Sequence, residues 1–183
     1  MKKLIFIGLL FFSVSALQAQ EMGFGIKGGV NFASLNGDDA DGWDGRTSFH
    51  LGLLAEFGLS EKFAIQPEIL YSAQGAEEED LTLKLDYLTI PVMAKYYATD
   101  AFSIEAGPYI GFNTKAEFDM DGDTMDVKDE TESTDFGIGL GLGYELPMGV
   151  FFQARYAMGL SDIASDGDIK NSVFQLSVGY KLF

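Results

Sequence analysis

From Phe136 to Glu145 the chain alternates without a break: Phe136, Ile138, Leu140, Leu142 and Tyr144 interleave with Gly137, Gly139, Gly141, Gly143 and Glu145. A strand shows successive side chains to opposite faces, so this segment has one apolar face and one face of glycine. The same period-two pattern predicts seven further strands: Phe24–Leu35, Phe49–Gly58, Phe63–Ser72, Tyr87–Tyr96, Phe102–Asn113, Phe152–Ser161 and Phe174–Leu182. The connections alternate in length. Ser60-Glu61-Lys62, Thr99-Asp100 and Pro147-Met148-Gly149 are tight turns, whereas the others are long and acidic, the longest running from Asp119 to Glu132. Up-and-down strands with short turns at one end and long loops at the other describe an outer-membrane barrel. The expected fold is therefore all-β: an eight-stranded antiparallel up-and-down transmembrane β-barrel.

Alternation alone does not say which face meets lipid, and a soluble lipocalin-like barrel would place its apolar residues inside. Two features favour the membrane. A water-facing row of Gly137, Gly139, Gly141 and Gly143 would be peculiar, while small residues suit the cramped lumen of eight strands. Aromatic residues also gather toward the strand ends, as interfacial girdles require. Ahead of the strands, Lys2 and Lys3 precede an apolar run from Leu4 to Leu17, then Gln18 and Ala19. This reads as a secretory signal peptide over residues 1–19, leaving the barrel domain at 20–183 and an address in the outer membrane. Its removal takes the formal charge from −16 to −18. Such a charge argues against nucleic acid, whose phosphates need Lys and Arg. The absence of cysteine excludes disulfides and thiol chemistry.

Pro67, Pro91 and Pro108 fall inside predicted strands, and a closed barrel has no edge to hide a missing N–H. Local bulges are expected there.

The inward faces carry Lys27, Lys95, Arg155 and Lys181 with Glu56, Glu68 and Glu105. Buried charges must be paired or hydrated. An eight-strand interior is only wide enough for side chains, so the expectation is a charge network plugging the lumen; the rival is a narrow ion path. Catalysis has little support. His50 is the sole histidine, and although Ser48 is near in sequence, no oriented nucleophile–base set follows from the spacing. The acidic run Asp119, Asp121, Asp123 and Asp126 is oxygen-rich in the way Ca²⁺ prefers. It fails the EF-hand pattern, with Gly122 in fourth place and Thr124 in sixth. A solvated loop is the default, calcium being the only cofactor the sequence suggests. These loops are too acidic and too poor in apolar residues to order themselves unaided.

Four segments carry a family resemblance: Gly25-Ile26-Lys27-Gly28-Gly29-Val30-Asn31-Phe32, Ile65-Gln66-Pro67-Glu68-Ile69-Leu70-Tyr71-Ser72, the fourth-strand stretch Tyr87-Leu88-Thr89-Ile90-Pro91-Val92-Met93-Ala94-Lys95-Tyr96-Tyr97, and the ending Gly179-Tyr180-Lys181-Leu182-Phe183. Together they resemble the PorT-like outer-membrane β-barrel domain family of Gram-negative bacteria, across essentially the whole mature chain. The resemblance implies eight strands, periplasmic termini, prolines at positions 67 and 91, and no assigned chemistry. It links the chain by analogy to protein secretion. The ending is similar to the signal read by barrel-assembly machinery, with Leu182 where an aromatic is usual.

The sequence thus points to a non-enzymatic barrel with a structural or surface-interaction role through acidic external loops. Its partners are outer-membrane lipid, lipopolysaccharide, the assembly machinery and a protein at the loops. The alternatives are a narrow channel for small solutes or cations, and an accessory component of a secretion or assembly complex.

Overall fold

The computed structural model describes residues 22–37, 42–78, 81–120, 123–128, 131–163 and 168–182. The leader expected at 1–19 and Asp121 lie outside them. The strands are β1 (Met22–Asn36), β2 (Asp44–Gly58), β3 (Phe63–Glu78), β4 (Leu81–Tyr97), β5 (Phe102–Met120), β6 (Asp123–Asp126), β7 (Thr134–Glu145), β8 (Val150–Gly159) and β9 (Lys170–Lys181). The sheet order is β4-β3-β2-β1-β9-β8-β7-β5, and β4 pairs with β5 to close it. All pairings are antiparallel. Eight strands form the barrel; β6 lies within the longest acidic connection and, among the described residues, pairs with β5 alone.

The short turns close with backbone hydrogen bonds across them, among them Leu59 N to Phe63 O, Ala98 N to Phe102 O and Leu146 N to Val150 O. In the last, Gly149 takes a φ of 87°, a conformation other residues adopt only at a cost.

The polarity of the wall is inverted relative to a soluble protein. Outward residues are apolar and exposed, with Leu51 and Leu53 at 61 % and 60 %. Inward residues are polar and buried: Lys27, Asn31, His50, Gln66, Glu68, Glu105 and Arg155 are all at 2 % or less. In water this arrangement would fail twice, by exposing apolar surface and by desolvating charge. In hydrocarbon the outward face is already satisfied, and a closed barrel leaves no backbone edge unpaired. Paired rings mark the two interfaces, Phe63 with Tyr96 at 5.1 Å near the turn end, and Phe49 with Tyr71 at 5.8 Å and Phe32 with Phe174 at 6.3 Å near the loop end.

The strand prolines do not sit at bulges, contrary to expectation. Pro67 pairs with Val92, Pro91 with Tyr109 and Pro108 with Ile138, all without a change of register. Register shifts occur instead between Gly45 and His50 and between Asp86 and Tyr87. The second shift accommodates Thr114, whose hydroxyl donates to the Asp86 carbonyl at 2.9 Å.

That bulge lies where the wall changes character. On β4 the odd-numbered residues face inward throughout, but Tyr87, Thr89 and Lys95 give way to Leu85 and Leu83, while outward Leu88 gives way to Asp86 and Lys84. Below this level apolar groups face lipid; above it they face the axis, as in a water-exposed sheet. The raised inner face packs Leu35, Ala76, Leu83, Leu85, Tyr87 and Ala116 against Val127 and Ile163 from the connections, with Trp43, Phe118 and Ile169 alongside. The acidic connections are therefore not without structure-forming residues. They order where the extended strands offer their few apolar groups a surface, forming a cap over the lumen.

Candidate functional site

Strand parity aims a column of polar side chains down the barrel axis, in successive layers. At the short-turn end a vestibule of about 1080 Å³ is lined in part by Glu56, Tyr97, Glu145 and Lys181. The Lys181 ammonium donates to Glu56 Oε1 at 2.8 Å and Glu145 Oε2 at 2.6 Å, and Lys95 donates to Glu56 Oε2 at 2.7 Å. The Tyr97 hydroxyl donates to Glu56 Oε1 at 2.7 Å. Gln66 ties this layer to the next, accepting from Lys95 at 3.1 Å and donating to Glu68 Oε1 at 2.6 Å.

At mid-height Arg155 is the hub. Its Nη1 and Nη2 donate to the two oxygens of Glu68, and its Nε donates to Glu105 Oε1 at 2.7 Å. Lys27 pairs with Glu68 at 2.8 Å and donates to Gln153 Oε1 at 2.6 Å; Gln153 in turn donates to Glu105 Oε2 at 2.7 Å. Each layer balances two cations against two carboxylates. Small residues make the room: a Cβ at Gly141 would come within 2.7 Å of Glu105 Oε1.

Above the hub lies a cavity of about 20 Å³ bounded in part by Ser72, Gln74, Tyr109 and Arg155, room for about one water. Beside it, His50 has both ring nitrogens engaged, Nδ1 with Asn31 Oδ1 and Nε2 with Ser177 Oγ, each at 2.8 Å. Because Asn31 Oδ1 only accepts, Nδ1 carries the proton and Nε2 accepts from the serine hydroxyl. Ser48 donates to the Ala73 carbonyl instead of approaching the imidazole. Higher still, Asp135 accepts from Ser161 at 2.8 Å, Tyr109 at 3.1 Å and Asn171 at 3.4 Å, just under the apolar cap.

The seven inward charges named from the sequence are thus joined in one network. The structure adds Glu145, Gln66, Gln153 and Tyr97. The parity of Gln66 and Gln153 placed them on the polar face, but their bridging depends on which strands meet across the axis. The four aspartates of the longest connection are not brought together among the described residues. Asp119 bonds Lys84, Asp123 and Asp126 stand on β6 opposite Met120 and Glu117, and Asp121 lies outside the described residues. Among the described residues no three His, Asp or Glu side chains converge as metal ligands. On the outer wall, Lys115 is held above the usual lysine range, first by its bond to Glu117.

A closed eight-strand wall, apolar outside and charged within, decides the environment, and the sequence match agrees. Residues 18–165 match the family model described as "Outer membrane protein beta-barrel domain". The chain belongs to that family. Its place is the outer membrane.

Solved structures show the same fold in other members of this architecture. The attachment invasion locus protein Ail of Yersinia pestis superposes with a TM-score of 0.57 at 19 % identity, covering 88 % of this chain and 99 % of that one. Neisserial surface protein A gives a TM-score of 0.62 at 15 % identity, covering 87 % and 97 %. At such identities the likeness concerns the fold alone. Among curated protein sequences nothing matches.

Proposed function

We propose that this outer-membrane barrel is a non-conducting anchor, without enzymatic activity, that presents its acidic extracellular end to a partner. The observation that carries the reading is the Arg155–Glu68–Glu105–Lys27 cluster, which fills the lumen at mid-height with mutually neutralised charge. An ion crossing this level would have to break a buried, bidentate pair, and the described residues of the cluster above it are apolar. The test is single-channel conductance of the mature protein refolded in a planar bilayer, with and without Ca²⁺. Silence from folded protein supports the anchor; steady cation-selective openings overturn the plug. A change with Ca²⁺ would bring Asp119, Asp121, Asp123 and Asp126 back as ligands.

A second reading has one observation in its favour. The open vestibule at the short-turn end, with its exposed Met148 and Leu182, offers a periplasmic partner a concave seat. This suits an accessory role in secretion or assembly, a role that rests on analogy with the PorT-like family alone. Co-purification of a partner in near-equal amount would favour it over the anchor.

A further inference from the structure

Strand β6 has β5 on one side and, among the described residues, no strand on the other. All four of its residues, Asp123 to Asp126, are exposed. An unpaired edge of this kind is a template for another strand. The register sorts its side chains into two rows. Met125 lies opposite Phe118 and Asp123 opposite Met120, on the face that leads down to Trp43 and the cap; Thr124 lies opposite Asp119 and Asp126 opposite Glu117, on the outer face. Met120 and Met125 are diagonal neighbours, 56 % and 64 % exposed, so the inner row carries exposed apolar surface to the free edge, with Asp123 beside it.

We propose that β6 is a docking edge for an extended segment of a partner that alternates apolar with basic residues. Added beside β6, such a strand sets apolar side chains against Met125 and basic ones beside Asp126. Charge selects this occupant over a second copy of the chain, because a copy would bring Asp126 and its acidic neighbours against their own kind. Main-chain bonds then supply affinity and the two rows supply selectivity. The proposal rests on the surface-interaction reading above and names the chemistry of its partner.

The test uses the mature protein in phosphatidylcholine nanodiscs and a fluorescent synthetic peptide alternating leucine with lysine, with empty nanodiscs as the blank. A second peptide of the same sequence carries backbone N-methyl groups on alternate residues, which removes strand pairing and leaves charge unchanged. The expected result is binding of the plain peptide, weakened at least about tenfold by N-methylation and about tenfold by Met125→Lys. The heat-shifted gel mobility of the folded barrel stays as in the wild type, since β6 lies outside the wall. Equal binding of the two peptides overturns the docking edge and leaves the acidic surface as the attraction. Binding of neither overturns both, whatever the conductance measurement shows.

Discussion

Arg155 on β8 grips Glu68 on β3 with both terminal nitrogens, Nη1 to Oε2 at 2.8 Å and Nη2 to Oε1 at 2.7 Å, across the middle of the barrel. The planar guanidinium matches the carboxylate fork, and its Nε is left to hold Glu105. Among the described residues no other inward cation ties two carboxylates at this depth. Substituting Arg155 by Ala leaves Glu105 without its ion-pair partner and Glu68 with Lys27 alone in a water-poor interior, and removing one partner of a buried pair costs about 3–5 kcal/mol. Urea unfolding in lipid vesicles should show that loss. Arg155→Lys keeps the charge but not the fork, so it should fall between the two. A midpoint unchanged in Arg155→Ala would show that the cluster adds nothing to stability.

Gly137 answers to a different constraint. A Cβ there would lie 2.4 Å from the Tyr109 ring and 2.3 Å from the Met158 carbonyl, so Gly137→Ala must both displace the ring and spread the wall. Overpacking of this sort costs about 1–3 kcal/mol. Gly139 meets only side-chain atoms of Met93 and Arg155 at 3.3 Å and beyond, and Gly139→Ala should be tolerated. Unfolding the two variants side by side checks the contrast; equal stability would mean that the Tyr109 ring and the backbone at Met158 both give way without cost.

These two cases show what could be read from the chain and what could not. Parity alone puts Arg155, Glu68 and Glu105 on the inner face, because period two allows nothing else once the apolar face is given to lipid. That Arg155 meets Glu68 rather than another carboxylate depends on barrel closure, which joins strands far apart in sequence. The raised ends were harder to see for another reason. Leu81, Leu83 and Leu85 alternate with Thr82, Lys84 and Asp86 as cleanly as any strand. Their polarity is reversed relative to the membrane wall, and they follow Glu77 to Asp80, so local composition hid the strand. Val127 and Ile163 gave still less signal, being single apolar residues among acids.

The lipid face gives a prediction of its own. Leu53 pairs with Ile26 and Ile69 at mid-height and is 60 % exposed to the surroundings. In water its replacement by Arg would be harmless; at the bilayer midplane it costs about 2–4 kcal/mol. Folding yield of Leu53→Arg into vesicles should drop accordingly, and an unchanged yield would place this residue outside the hydrocarbon.

The cap should fail independently of the wall. Ile163 is 7 % exposed and packs in the cluster that holds Val127 and Leu83, while its backbone accepts from Glu132 N and donates to Ile169 O. An aspartate in its place has no cation in the cluster to pair with, and an unpaired buried charge is avoided by opening the structure around it. The strands below are held by pairings that do not involve the cap, so the barrel itself should persist. Ile163→Asp is therefore expected to keep the heat-shifted mobility of folded protein while its external connections become sensitive to added protease. Trp43, the only tryptophan, reports on the same event, because it stacks on Phe118 with ring centres 6.2 Å apart. Its emission should move to longer wavelength and become more open to acrylamide quenching. If protease sensitivity and Trp43 emission both match the wild type, the connections do not depend on the apolar cap for their order.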